Sequence, residues 1–439
     1  MKSAKIIQEK LLFFFKNSLV NKSLKVLLLR VLGVLLFFSL TLFLTNNFDP
    51  DSVGQYDLSR SLLMFMGGIC VFGMHQSVVY YSGYLQSKKA TDNLKLIYKK
   101  MAVIVLFLAL IILAFFYLID DRYIDWFFEK KASNLVLKTI ATLFFYSITM
   151  LNIDVFRAIN KIYLSELYRN VFRYLPFLIA VIAIYYMQNQ AFLVDVFLLN
   201  FIFLSVVSSL MLVFFFSKKN NINHQLNFTY KSIILRSGPM AVSAIAYILM
   251  QSVDIILLSK FTDFKMVAFY SVALKLTAMI SLVLASVNTV QAPKIAELFS
   301  LENFEELNLL VRKSTRLILA FTFPCVIFLL LFSSFVLKLF GEDYVIAQTA
   351  LLILLVGQFV NALCGSVGVY LNMTGRQNVL QKILLLAFVL NLILNWVLIP
   401  LYGINGAAFA TSFSMILWKV ITVVYIYKKD KIKTFFTFR

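Results

Sequence analysis

The length of the apolar runs restricts this chain more than any other feature. Val26–Thr45 and Met101–Ile119 are two of many, each near the twenty residues that cross a bilayer core as a helix. Only 14% of the residues are charged and 61% are hydrophobic, against about 25% and 45–50% in soluble domains. A single water-soluble core needs no such excess. The expected fold is therefore an all-α integral membrane protein.

Runs of this length place spans near 26–45, 58–82, 101–119, 135–156, 174–187 and 192–216, then 238–259, 268–292, 316–337, 348–371, 380–399 and 405–427. With the N-terminus inside, the outer loops hold only six of the 41 Lys and Arg residues: Arg122, Lys130, Lys131, Lys260, Lys265 and Lys338. Several outer loops carry aspartates instead, at 49, 51, 57, 120, 121 and 125. This bias predicts an even number of spans with both termini cytoplasmic. Residues Lys5–Val20, basic and weakly apolar, are expected to lie at the interface ahead of the first span. The net charge of +20 punctuates the spans and forms no continuous basic face, which argues against a nucleic-acid partner.

Catalytic and metal chemistry find no support. Cys70, Cys325 and Cys364 are scattered through apolar runs and too few for a zinc site or disulfide framework. There is no HExxH, P-loop or G-x-S-x-G. The chain is expected to be no enzyme and to need no cofactor. Transport would draw on a Na⁺ or H⁺ gradient, or on the substrate's own gradient.

The two halves match at an offset of about 214 residues. Val53-Gly54-Gln55-Tyr56 falls on Val267-Ala268-Phe269-Tyr270, Leu62 on Leu276, and Lys99 on Lys313. A six-span unit repeated in the same orientation puts a pseudo-two-fold axis along the membrane normal, a transporter architecture with its substrate site between the halves. The expected lobes are residues 1–220 and 221–439.

An ionised side chain at the centre of a span costs at least about 2.5–3.5 kcal/mol, so each one is a functional candidate. The cations are Arg30, Arg60, Lys138, Lys275 and Lys419. Lys138 lies near the outer end of its span, within snorkelling reach of the headgroups. Arg30, Arg60 and Lys419 fit either snorkelling or a cavity, and Lys275 lies two turns deep. Among the anions, Asp154 stands beside Arg157 and fits a helix-end pair. Asp254 is too short to snorkel and calls for a partner: Lys275, a proton or a coupling ion. The excess of cations points to an anionic substrate, which arginine can grip bidentately. Gln251, Asn288, Gln291, Gln358 and Asn361 would line a polar cavity or bond helix to helix.

Several motifs carry a family resemblance. Phe340-Gly341-Glu342-Asp343-Tyr344, Gly357-Gln358-Phe359-Val360-Asn361 and Leu371-Asn372-Met373-Thr374-Gly375-Arg376-Gln377 resemble the region around the tenth span of polysaccharide exporters and O-antigen flippases. The segment from Leu398-Ile399-Pro400 through Leu401-Tyr402-Gly403-Ile404-Asn405-Gly406 to Ala408 is similar to that family's entry to its last span. Phe48 to Tyr56 and Phe72-Gly73 to Tyr81 also fit. The resemblance covers essentially the whole chain and belongs to the multidrug/oligosaccharidyl-lipid/polysaccharide (MOP) flippase superfamily.

The resemblance implies twelve spans in two parallel six-helix repeats, forming a V-shaped pair of lobes in a bacterial cytoplasmic (inner) membrane. It implies a substrate of undecaprenyl-pyrophosphate-linked oligosaccharide moved from inner to outer leaflet, and it leaves room for other glycan-assembly proteins as partners. Arg30, Arg60 and Lys275 sit where such flippases meet the pyrophosphate. Asp254 is followed by Ile255, where the family often has a basic residue. Two rivals remain: a Na⁺- or H⁺-driven multidrug exporter of the same superfamily, whose cavity should be acidic and aromatic, and a glycan polymerase or ligase, which should carry a long outer loop.

Overall fold

A computed structural model describes residues 18–87, 90–128, 131–217 and 228–437. The expected interfacial segment lies outside these, apart from its last three residues. Among the described residues all regular structure is helical. The first half contains α1 (Ser18–Asn47), α2 (Pro50–Val71), α3 (Met74–Ser87), α4 (Leu94–Leu118), α5 (Asp121–Phe128), α6 (Ser133–Ala141), α7 (Leu143–Ala158), α8 (Ile162–Leu167), α9 (Leu175–Tyr186) and α10 (Leu193–Ser217). The second contains α11 (Tyr230–Phe261), α12 (Phe264–Ser300), α13 (Phe304–Leu331), α14 (Ser333–Lys338), α15 (Gln348–Cys364), α16 (Val367–Met373) and α17 (Gln377–Asp430).

Each of the twelve expected runs falls on these helices. Eight helical stretches are individually long and apolar enough to cross a membrane, and two bent pairs, α2 with α3 and α6 with α7, bring the number to ten. One of the eight, α17, is two helices joined at a kink where Gly403 has φ 54° and ψ −131°. Only glycine adopts such angles readily. Just beyond, a Cβ on Gly406 would lie 2.2 Å from the Leu398 carbonyl oxygen. The Leu398-to-Gly406 motif is therefore the tight connection between the last two spans.

One expected boundary is corrected. The fifth span begins at Ile162, not near 174, and runs to Tyr186 through a π-helical turn at Tyr168–Phe172. Glu166, Arg169 and Arg173 dilute the hydropathy of its first half. The apolar window therefore reads as a loop followed by a short helix.

The described chain packs as two compact units. The described residues within 1–44, 70–114 and 141–240 form one, and those within 45–69, 115–140 and 241–439 the other. This division does not follow the repeat: most of α2 and α5 pack with second-half helices. In the first unit, Asn152 Nδ2 donates to Ser208 and Ser209 at 2.9 and 3.0 Å, and Tyr98 donates to Asn152 Oδ1 at 2.8 Å. This polar spine joins α4, α7 and α10. In the second unit α15 and α17 approach closely at Gly357, where a Cβ would lie 3.0 Å from the Ser412 side chain.

Outside the spans, the Asp125 carboxylate accepts from the N–H groups of Ala132 and Ser133 at 2.8 and 2.7 Å, satisfying donors at the start of α6. These bonds, led by that from Ser133, hold its pKa below the usual carboxylate range. Their contribution is present above the unfolded value near 3.9 and is lost as pH falls through the lower folded value.

The close approach at Gly406 gives a direct expectation. Gly406→Ala forces the Leu398 backbone away and should destabilise the protein by roughly 1–3 kcal/mol. Thermal unfolding of the purified protein in detergent tests this; an unchanged midpoint would contradict the packing described.

Candidate functional site

The second unit holds a buried ionic cluster where α2 and α12 begin. Asp57, fully buried, accepts from Ser271 Oγ at 2.5 Å. Lys275, one turn along α12 and 6% exposed, places Nζ 2.8 and 2.9 Å from the two carboxylate oxygens. Arg60 Nη1, one turn along α2, lies 3.8 Å from Oδ1. The helices can approach this closely because a Cβ on Gly54 would stand 1.9 Å from the Phe264 carbonyl oxygen. The cluster sums one carboxylate, one ammonium and one guanidinium. It corrects the expected Lys275–Asp254 pair: the partner of Lys275 is Asp57, a residue that the apolar run lengths place in an outer loop.

Asp254, on α11, is 1% exposed. Its Oδ2 accepts from Tyr270 at 2.9 Å and Thr411 at 3.0 Å, and its Oδ1 has no hydrogen-bond partner. Among the described residues, neutral donors alone therefore face this carboxylate. That is the arrangement a proton or a single cation would complete, whereas no group of three or more His, Cys, Asp or Glu suited to a metal occurs among the described residues.

In the first unit, Arg30 Nε and Nη2 donate to both oxygens of Glu166 at 3.0 Å, a bidentate geometry. Asn170 Nδ2 adds a bond to Glu166 Oε2 at 2.9 Å. Arg169 Nη2 donates to Asp154 Oδ1 at 2.7 Å, so the partner of Asp154 is Arg169 and not the neighbouring Arg157. In both pairs the carboxylate is enclosed and the guanidinium is nearly half exposed: 9% against 44% for Glu166 and Arg30, 11% against 43% for Asp154 and Arg169.

Lys419 differs from the expected cavity cation. It is 4% exposed and its Nζ donates to the Gly365 carbonyl at 3.3 Å, at the break between α15 and α16. Of the neutral candidates Gln358 bonds helix to helix, its Oε1 accepting from Ser281 of α12 at 3.0 Å, while Asn361 donates to the same oxygen within α15 at 3.1 Å. Gln291 donates to Asn288 along α12 at 3.3 Å. The side chain of Gln251 lies outside the described ones.

The sequence reading missed Asp57, Ser271, Glu166, Arg169, Tyr270 and Thr411. A signal for the first two existed, since Asp57 and Ser271 are separated by the repeat offset itself and equivalent positions near a two-fold axis meet. Glu166 and Arg169 were hidden by the misplaced start of the fifth span.

These features describe a chain of long apolar helices with charged groups set into them. The MatE family profile matches residues 239–397. A Shigella flexneri protein named "Putative O-antigen transporter" is 30% identical over 191 residues, covering 43% of this chain and 45% of that protein. The chain thus spans about half the length of the curated relative it matches. Among solved structures, the lipid II flippase MurJ in an inward closed conformation aligns with a TM-score of 0.73 at 18% identity, over 93% of this chain and 88% of that one. An inward-facing multidrug resistance MATE transporter of the MOP superfamily aligns with a TM-score of 0.70 at 15% identity, over 91% and 94%. The chain shares the fold of these two solved structures.

The Asp57–Lys275 pair predicts a specific stability pattern. Lys275→Met leaves a buried carboxylate without its ammonium and should cost about 3–5 kcal/mol. Adding Asp57→Asn should recover most of the loss. Melting of the two single variants and the double variant measures this; additive losses would exclude the pairing.

Proposed function

We propose that this protein is a flippase for a lipid-linked oligosaccharide, moving a repeat unit carried on undecaprenyl pyrophosphate from the inner to the outer leaflet of a bacterial cytoplasmic membrane. The observation that carries this reading is the presence of guanidiniums, Arg30 and Arg169, nearly half exposed within apolar spans. Such groups belong against water or an anion, and not against hydrocarbon. A pyrophosphate supplies the anion, and the lipid tail can remain in the bilayer while the headgroup crosses. The Shigella flexneri relative and the lipid II flippase fold support the same substrate class.

In this reading both termini face the cytoplasm, and residues 1–220 and 221–439 rock as lobes. The Asp57 cluster acts as the outer gate. It ties the first-half helix α2 to the second-half helix α12, and it must part for release outside. Arg60 and Lys275 then become available to the departing pyrophosphate. Asp254 is the candidate for coupling to Na⁺ or H⁺, because its Oδ1 lacks a partner. That same carboxylate favours the alternative, a cation-coupled multidrug exporter.

Sidedness of lipid-linked glycan in depleted cells separates the two. Accumulation in the cytoplasmic leaflet, with loss of surface polysaccharide, is the expected outcome. Unchanged glycan with raised sensitivity to cationic drugs would replace the flippase reading with the exporter. Under the flippase reading Arg60→Ala should reduce export at least several-fold while the protein still reaches the membrane, as read by surface glycan and immunoblot.

A further inference from the structure

The second unit contains a cavity of about 450 Å³ whose lining is aliphatic or aromatic throughout. Four helices wall it: α2 through Phe65, α5 through Phe127, α11 through Leu249, Val253 and Leu257, and α17 through Trp396. Their spacing of four residues puts the three α11 side chains on one face. The cavity therefore follows α11 for about 12 Å at 1.5 Å per residue. Trp396 is 50% exposed, so the cavity opens at a helix surface that a bilayer would cover. An apolar cavity does not hold water, and a wall of this kind offers nothing to a hydrated guest. With hydrocarbon at its mouth, hydrocarbon is what enters.

One end of the cavity is charged. Lys260, three residues beyond Leu257, donates from Nζ to the Phe127 carbonyl at 2.7 Å. The ammonium stands 4.8 Å from the ring centroid of Phe127 and 5.6 Å from that of Trp396, both rings of the cavity wall. It also stands 5.6 Å from the ring of Trp126. Lys260 thus ties α5 to α11 and α17 where the cavity ends. Trp126 is 74% exposed, on a short helix whose Ile124 and Phe128 are buried. Lysine and tryptophan together at the end of a span mark the headgroup level. The cavity runs from that level into the apolar part of the span, with a positive charge at its top.

Size narrows the guest. A methylene takes about the room of a water molecule, about 30 Å³, so the cavity holds on the order of fifteen, which is one acyl chain. A long isoprenoid would overfill it.

We propose that this cavity is a binding site for a single phospholipid, with one acyl chain inside it and the phosphodiester at the Lys260 end. The proposal rests on reading the chain as membrane-spanning and not on which substrate it moves. The bound chain would touch α2 and α5 of the first half and α11 and α17 of the second. It is held only while these helices stay together, so the lipid favours the arrangement seen here.

The test places the purified full chain in phosphatidylcholine vesicles with a little phosphatidylglycerol that carries a photoactivatable acyl chain, and maps the crosslinks by mass spectrometry. Crosslinking to residues 249–257 and 392–397 should saturate and exceed that at Phe107 of α4, itself 63% exposed, at least fivefold. Leu249→Phe and Val253→Phe, which fill the cavity, should each lower it at least fivefold and leave Phe107 as in the parent protein. If Val253→Phe also loses crosslinking at Phe107 it has not folded, and Leu249→Phe decides. The parent should prefer the phosphatidylglycerol probe to a diacylglycerol with the same photoactivatable chain at least threefold. Lys260→Gln should remove that preference and Lys260→Arg keep it. Equal crosslinking at the cavity and at Phe107 overturns the site, leaving only the lipid that coats any span. A preference that survives Lys260→Gln overturns the placement of the phosphodiester. Stronger capture of a long isoprenyl phosphate probe overturns the phospholipid and gives the cavity to a carrier chain. No crosslinking anywhere, Phe107 included, removes the membrane-spanning reading itself. Crosslinking as expected with glycan sidedness unchanged in depleted cells upholds the site and removes the flippase reading.

Discussion

A carboxylate can be enclosed in an apolar helix bundle only if something replaces the water it loses. Asp57 shows the full solution: no exposure, an ammonium at 2.8 Å and a hydroxyl at 2.5 Å. Each of those donors comes from α12. The carboxylate therefore fixes where the first-half helix α2 meets the second-half helix α12, and Gly54 permits the meeting by leaving room for the Phe264 carbonyl. Charge compensation and backbone contact act at the same crossing. Neither would hold a fixed register without the other.

The remaining acids depart from this solution by degrees, and the departures sort their roles. Glu166 and Asp154 have cations, but cations that stay nearly half open to the outside. Asp254 has none among the described residues and relies on Tyr270 and Thr411. Full compensation suits a contact that holds one closed arrangement until it parts; partial compensation suits a group that exchanges partners. An uncompensated carboxylate suits a group that takes up a cation or proton. Lys419 is the cationic counterpart of that last case, enclosed with the Gly365 carbonyl as its one hydrogen-bond acceptor among the described residues.

The spans were legible because bilayer thickness imposes one length on every apolar run, and the Pro400-to-Gly406 connection was legible because its glycines answer to backbone geometry. The fifth span was not, since Glu166 and Arg169 find their partners, Arg30 and Asp154, on other helices, while with Arg173 they lower a one-dimensional average. Among the site residues, Arg30, Arg60, Asp154, Asp254 and Lys275 were legible as charges out of place. Their partners were not. Asp57 and Glu166 lie 218 and 136 residues from the cations they meet, and no local pattern encodes such pairings. Lys419 misled for a related reason: depth along a span gives no information about which face of the helix is closed.

The repeat itself explains why the pairing at the crossing takes the form it does. Two identical halves would set like residues opposite one another near the axis, aspartate against aspartate or lysine against lysine, and a buried like-charge contact is strongly unfavourable. The sequence has diverged there and not merely drifted. The equivalent of Asp57 is Ser271, which donates to it, and the equivalent of Lys275 is Ser61, which carries no charge. The surrounding frame, Val53 to Tyr56 against Val267 to Tyr270, has kept its likeness. A duplicated chain whose equivalent positions meet at the axis cannot keep the same buried charge at both, and here the anion lies in one half and its cation in the other. Asp57 and Lys275 are that assignment.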